Sequence, residues 1–279
     1  MNVDIGAYFT RIGYTGSRAP TLETLAGIHL RHPQSIAFEN LDPLLKRPIS
    51  LQPEALEGKL LRAGRGGWCF EHNLLLRDVL QELGFRVTGL AARVMWNAPE
   101  GSIRARSHML LKVEGIGSRR YIADVGFGGL TLTTPLLLIP DVEQPTPHET
   151  FRLISGEAAD QYILQALVGE AWKPLYSFDL QAQHLIDYQV SSWYLEHHPE
   201  SPFVNNLMAA RVEPDRRYGL FNNRLSTRHL GGNTEHVTLS TANDMRHVLE
   251  RVLRIELPDD PGLEDLLASL STRTCPAGI

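Results

Sequence analysis

Arg65-Gly66-Gly67-Trp68-Cys69-Phe70-Glu71-His72-Asn73 is the stretch from which the rest of the chain is read. From Asn73 onward Leu74, Leu75, Val79, Leu80 and Leu83 recur at helical spacing, and Gly84 stops the helix. A glycine loop therefore runs into a helix, with Cys69 at the join. The first turn of a helix carries unpaired N–H groups and partial positive charge, a field that favours thiolate, the nucleophilic form of cysteine. Gly66 and Gly67 let the backbone fold tightly enough for its N–H groups to face a substrate oxygen. A cysteine so placed is either a nucleophile or a small buried hydrophobe.

Two downstream residues bear on that choice. Ser107 to Val113 and Arg120 to Val125 read as strands joined by a loop over Glu114–Ser118. If Val113 pairs with Arg119, His108 falls directly across from Asp124 on one face of the hairpin. A slip of a single residue in one strand would separate them. In that register the carboxylate accepts from one ring nitrogen and the other nitrogen is free to take a proton from a thiol. An ordinary cross-strand His–Asp pair on a wet face fits the same pattern.

Arg65-Gly66-Gly67-Trp68-Cys69, a strand histidine, Asp124-Val125-Gly126-Phe127-Gly128 and, upstream, Phe38-Glu39-Asn40-Leu41 together resemble the arylamine N-acetyltransferase family, in order and over nearly the whole chain. One departure is that the hairpin between His108 and Asp124 is about a residue longer than the family pattern. The resemblance implies a Cys-His-Asp triad at Cys69, His108 and Asp124, arranged as in cysteine proteases. It implies acetyl-CoA as co-substrate, no metal, and arylamines, arylhydrazines or N-hydroxyarylamines as acceptors, reached by ping-pong transfer through an acetyl-Cys69 intermediate. It implies substrate and CoA contacts at Gly126, Phe127 and Gly128, with Phe38, Trp68, Ser107 and Phe203 around them. Glu39 and Arg65, on their own a surface salt bridge of little worth, would pair beside the cysteine and hold its loop. Arg104 and Arg106, otherwise solvated surface charge, have the fork geometry that meets CoA phosphates. An amide synthase or a cysteine hydrolase could run on the same triad.

Composition narrows the classes. The 279 residues are 43% hydrophobic and 21% charged, ordinary for a soluble protein with a real core. A formal net charge of −5 argues against nucleic acid as the main partner. Two cysteines, Cys69 and Cys275, cannot build a disulfide framework, and a reducing cytoplasm is the simple expectation. No apolar run reaches membrane-spanning length, and Met1-Asn2-Val3-Asp4 does not open a signal peptide. Cys69 and His72, three apart, lack the paired motifs of a metal site, so His72 is assigned to solvent or to its own helix neighbourhood. Nothing in the sequence indicates the oligomeric state.

The expected fold class is α+β. Residues 1–84 read as a helical unit: 4–13, a helix from Pro20-Thr21 closed by Pro33, Pro53–Arg62, and the Cys69 helix. Residues 85–190 switch to period two and suggest a small antiparallel barrel or sandwich: Phe85–Val94 with a bulge at Gly89, a turn over Asn97–Gly101, the His108–Asp124 hairpin, then Thr150–Ile154, Tyr162–Leu167 and Trp172–Phe178. Residues 191–279 mix forms. A linking helix over Ile186–His197 precedes a hairpin of Leu220–Leu230 with Thr234–Ser240, and helices over Asp244–Leu253 and Leu263–Leu270 follow. The resemblance implies a helical bundle, an antiparallel β-barrel and an α/β lid for these parts.

Overall fold

The computed structural model describes residues 3–99 and 101–273, so Cys275, the Met1-Asn2 opening and Glu100 of the expected turn lie outside the described residues. Helix α1 (Ile5–Ile12) starts where the Asp4 carboxylate accepts the Ala7 N–H, and ends at Gly13 in the left-handed region. Helix α2 (Leu22–Ser35) is capped by the Thr21 hydroxyl. It was expected to close at Pro33 but runs through it. That proline lies in the last turn, and the Ile36 N–H beyond it still reaches His32 O at 2.8 Å. Strand β1 (Phe38–Glu39) and the short helices α3 (Leu41–Leu44) and α4 (Pro53–Leu56) follow, α4 continuing as a π turn over Glu57–Arg62. Helix α5 (Cys69–Glu82) is buried without interruption from Cys69 to Leu76, which is why its sequence shows little amphipathic contrast there.

Eight strands then make one antiparallel, nearly closed sheet: β2 (Arg86–Val94), β3 (His108–Ile116), β4 (Arg119–Ala123), β5 (Leu136–Leu137), β6 (Glu143–Pro145), β7 (Thr150–Ser155), β8 (Gln161–Val168) and β9 (Ala171–Asp179). Their order is β5-β4-β3-β2-β9-β8-β7-β6, and a bridge from Pro140 to Leu153 draws the two edges together. Leu90, Leu110, Ile122, Leu153, Leu164 and Tyr176 pack inside. The alternate residues Met109, Leu111 and Val113 share a second core with Leu74, Leu75 and Val79 of α5. Strand β2 pairs with β3 in unbroken register from Arg86 to Ala92, so the expected bulge at Gly89 is absent. Gly89 instead leaves room for the Tyr188 hydroxyl, which donates to Leu90 O at 3.2 Å; a Cβ there would lie 2.4 Å from the tyrosine oxygen.

Helix α6 (Leu185–His197) and the short α7 (Pro202–Asn205) lead into a second sheet of β10 (Met208–Glu213), β11 (Arg216–Phe221), β12 (Arg224–His229) and β13 (Thr234–Thr238). The single strand expected over Leu220–Leu230 is broken by a turn at Asn222-Asn223, where Asn222 takes φ 49°. Helix α8 (Ala242–His247) runs on as a π segment over Val248–Val252, and α9 (Leu263–Ser271) is the last described element. The edge of this sheet is β1: Phe38 pairs with Ala210 and Glu39 with Ala209. Ala37 and Leu41 accordingly lie in one core with Leu207, Leu220, Leu249 and Leu267. The segment carrying Phe38 and Glu39 is thus clamped between distant parts of the chain. Among the described residues no helix is long and apolar enough to cross a membrane.

Candidate active site

Helix α5 begins at Cys69 because Trp68 is extended (φ −104°, ψ −174°) and its N–H is taken by the Glu71 carboxylate at 3.0 Å. The loop before it is fastened to β1: Gly67 N–H donates to Ala37 O (3.2 Å) and Glu39 N–H to Gly67 O (2.8 Å). The approach is too close for a side chain, since a Cβ on Gly66 would lie 2.2 Å from Ala37 O. Beneath the loop four buried ionic side chains and the half-buried Lys59 interlock. Arg65 reaches Glu39 at 2.8 Å and Asp42 at 3.0 Å, while Lys59 reaches Asp42 at 2.6 Å and Glu71 at 2.8 Å. Glu39 also accepts the Leu41 N–H at 2.7 Å. Burial pushes the Glu71 carboxyl up despite Lys59. Burial would also raise Asp42, but Lys59 and Arg65 outweigh it and hold that group down.

The hairpin register differs from the expected one. Leu111 pairs with Ala123 and Val113 with Tyr121, then Ile116 with Arg119, with an extra residue on β3 between Val113 and Ile116. The expected Val113–Arg119 pairing is thus replaced by a tight Gly117-Ser118 turn and a bulge. On this ladder the position after Ala123 faces Leu110, and His108 lies two residues further along the same face. Because the slip is even, both side chains keep the inward face and meet diagonally. His108 Nε2 lies 2.7 Å from Asp124 Oδ2.

Asp124 is fully engaged. Its Oδ2 also accepts from the Tyr176 hydroxyl (2.9 Å); its Oδ1 accepts from Asn73 Nδ2 (3.0 Å) and Gly126 N–H (2.9 Å). Its own N–H donates to His29 Nε2 at 3.0 Å and its carbonyl accepts from Thr131 at 3.1 Å. Asn73, one helical turn after Cys69, also donates to Met109 O and accepts the Val125 N–H, so it ties α5 to both strands. With Nε2 committed to Asp124, Nδ1 is the ring nitrogen left to face Cys69, whose side chain acts on the charge of the imidazole. The sulfur also lies 3.7 Å from Ser107 O. Burial would lower the His108 pKa, but the Asp124 carboxylate, helped by the Cys69 side chain, reverses that and pushes it up to about 10. Burial likewise would raise Asp124, and His108 with the other donors holds it below the usual carboxylate range.

Around this row stand half-buried aromatics. Phe127 meets the His108 ring edge-on at 5.2 Å and Tyr176 at 5.2 Å; Phe203 packs on Phe38 at 6.4 Å and on Trp68 at 5.4 Å. Trp68 itself is fully buried behind Phe203, so it backs the wall and offers no open face. Gly126 lies against the start of α5, where a Cβ would come 2.8 Å from Cys69 Cα, and Gly128 lies against Phe38. Asn40 donates to Phe203 O and Asn206 O, both at 2.8 Å, pinning α7 over the site. Arg106 turns instead to Asp179 and Gln181, and Arg104 is exposed.

His72 faces neither solvent nor its helix surface. It is buried in a chain in which the Tyr8 hydroxyl contacts His32 Nδ1 (2.8 Å), His32 Nε2 contacts His72 Nδ1 (2.8 Å), and His72 Nε2 contacts Ala37 O (3.1 Å). The terminal carbonyl can only accept, so His72 carries a proton on Nε2; with both rings neutral, His32 likewise carries its proton on Nε2 and accepts from Tyr8 at Nδ1. Burial lowers His72 to about 4 and His32 well below its ordinary value. Of the groups not singled out from sequence, Asn73 is the one with a local signal, four residues after Cys69 on a helix. Tyr176, His29 and Lys59 arrive from remote elements and have none. Among the described residues no three His, Cys, Asp or Glu cluster as metal ligands would.

A family model described as N-acetyltransferase matches residues 21–261. The chain is 44% identical over 262 residues to the arylamine N-acetyltransferase of Mycobacterium tuberculosis, covering 93% of this chain and 92% of that protein. It is 39% identical over 260 residues to the arylamine N-acetyltransferase / N-hydroxyarylamine O-acetyltransferase of Salmonella typhimurium, covering 93% and 91%. The solved structure of the Mycobacterium marinum arylamine N-acetyltransferase in complex with CoA superposes with a TM-score of 0.91 at 39% identity, covering 96% of this chain and 99% of that one.

Proposed function

The chain belongs to the arylamine N-acetyltransferase family, and on that footing we propose that it carries acetyl from acetyl-CoA to an arylamine through a thioester on Cys69. The observation that supports this route is the row of sulfur, imidazole and carboxylate at the start of a buried helix. His108 takes the Cys69 proton through Nδ1, or already holds it, and Asp124 fixes the ring by its bond to Nε2. The sulfur attacks the thioester carbonyl of the donor. As the carbon–sulfur bond to CoA breaks, His108 returns the proton to the departing thiolate. The amine then attacks the acetyl-Cys69 carbonyl, His108 accepts a proton from its nitrogen, and the Cys69 sulfur leaves. N–H groups in the first turn of α5 stabilise the oxyanion in both halves.

Phe38, Phe127 and Phe203 bind the arene and exclude water, which would otherwise hydrolyse the intermediate. Gly126 and Gly128, with Ser107, give the donor's acyl end a bare backbone to approach. Arylamines suit the second half because they are unprotonated at neutral pH. The name of the Salmonella relative favours N-hydroxyarylamines as further acceptors, acetylated at oxygen. Glu39, Asp42, Arg65 and Lys59 serve the loop beneath Cys69.

Incubation with acetyl-CoA and no amine tests the scheme. One acetyl group should appear on the peptide containing Cys69 and be discharged when an aniline is added. No adduct, or an adduct that persists in Cys69→Ala, removes the intermediate. Release of acetate without amine, faster than transfer to amine, would make the protein a hydrolase instead.

A further inference from the structure

Every polar atom of Asp124 is bonded, and four of its partners grip the carboxylate. His29 holds the main chain: the Asp124 N–H points at Nε2 of a histidine 95 residues away, on α2, at 3.0 Å. His29 is completely buried. Because Nε2 receives a hydrogen, the ring proton must sit on Nδ1, which reaches no other residue among those described. The fold thus keeps a fully buried histidine whose one hydrogen bond to another residue runs to the residue beside His108.

The chemistry of the alternatives explains the choice. An Asp or Glu acceptor at this point would add a second carboxylate next to Asp124 and resist its ionisation. An apolar side chain would leave the Asp124 N–H buried and unpaired. A charged imidazole would aim N–H at N–H. Only a neutral acceptor holds the amide without disturbing the carboxylate's charge, and burial lowers the His29 pKa to about 4, which keeps the ring neutral in working conditions.

We propose that His29 is a positioning residue for the transfer reaction: its neutral Nε2 accepts the Asp124 N–H, fixes the backbone at residue 124 and so sets the aim of the carboxylate at His108. This rests on the reading in which Asp124 orients His108 for acyl transfer through Cys69. His29 touches neither substrate nor the reacting atoms; it acts through Asp124.

His29→Gln keeps a neutral acceptor of similar reach, and His29→Leu removes it. Steady-state acetylation of an aniline, the pH profile of Cys69 alkylation by iodoacetamide, and thermal melts would be measured for both and for the parent protein. Nitrogen-15 shifts of the histidine rings in the parent, assigned with the Gln variant, report the tautomer. The Leu variant should lose about tenfold in kcat with both KM values within about twofold, and its alkylation midpoint should rise; the Gln variant should stay within about threefold of the parent. A role in stability alone would lower the melt of His29→Leu and leave kcat and the alkylation profile where they were. That result overturns the proposal, as does a Gln variant as damaged as Leu, or a His29 proton found on Nε2. If the Leu variant does not fold, the tautomer and the Gln kinetics still decide. Acetyl-Cys69 formation in the parent separates the two readings: its absence fails the transfer scheme, whereas its presence with indifferent His29 variants fails only the role of His29.

Discussion

Acidification should unfold this protein through buried histidines that touch neither substrate nor the reacting atoms. His29 and His72 are fully buried and neutral, each lowered by burial from 6.5 to about 4. The sign follows from proton counting. Between those two values the unfolded chain holds a proton on each imidazole that the folded chain lacks, so stability is intact above pH 6.5 and is lost as pH falls towards 4. A drop of roughly 2.5 pH units at 1.36 kcal/mol per unit gives about 3 kcal/mol for each ring, and about 7 kcal/mol for the pair. That is comparable with the whole stability of an ordinary domain, about 5–15 kcal/mol. His32 is shifted in the same direction. His108, raised to about 10, does not offset the loss: its contribution is complete below pH 6.5 and fades only as pH rises towards 10. Asp124 and Asp42, both lowered from 3.8, give up their contribution below this window. Glu71, raised by burial, opposes the trend only as its own carboxyl takes up a proton. Urea unfolding followed by tryptophan fluorescence at stepped pH should show stability falling by about 3 kcal/mol per pH unit below 6.5, and His72→Gln should reduce that slope by about 1.4. A flat stability between pH 6.5 and 5 would mean that these rings are solvated or already charged, and the hydrogen-bond chain from Tyr8 to Ala37 would have to be redrawn.

Three further outcomes are expected. Asp124→Asn, which sets an amide against the donors His108 and Tyr176, should lower kcat about 10³–10⁴-fold while the protein still melts cooperatively; a loss under tenfold would deny Asp124 its orienting role. Gly126→Ala places a Cβ 2.8 Å from Cys69 Cα and 2.9 Å from Asn73 Nδ2, so the Asp124 loop must move off α5; kcat should fall about 10²-fold, and a fully active variant would show that this contact does not set the geometry. Arg65→Met leaves Glu39 and Asp42 short of a buried counter-ion and should cost about 3–5 kcal/mol of urea stability; a cost under about 1 kcal/mol would reduce the network to the level of surface pairs.

Some features could be read locally because their causes are local. The periodicity of Leu74, Leu75, Val79 and Leu80 placed a helix directly after Cys69, and alternation over Thr150–Phe178 gave strands within a few residues of those observed. Where local rules misled, tertiary packing supplied the reason. Pro33 does not end α2 because its missing N–H falls in a last turn already held by neighbouring bonds. Gly89 marks no bulge, since it only clears space for a tyrosine from α6. His72 looked like a surface residue on its helix and is buried, because the partners that satisfy it come from α2 and from the chain beside β1.

By itself the sequence determined the α+β class, the helix that carries Cys69, and the order of the residues proposed for transfer, since helical and strand periods and a glycine junction are written in consecutive residues. Only the tertiary structure decided the register that brings His108 diagonally to Asp124, the ionic network under the loop, and the grip of His29, Asn73 and Tyr176 on one carboxylate. Those depend on where a bulge falls in a hairpin and on which side chains of remote elements share a buried volume. No periodicity encodes either, because both are fixed by the packing of the whole chain.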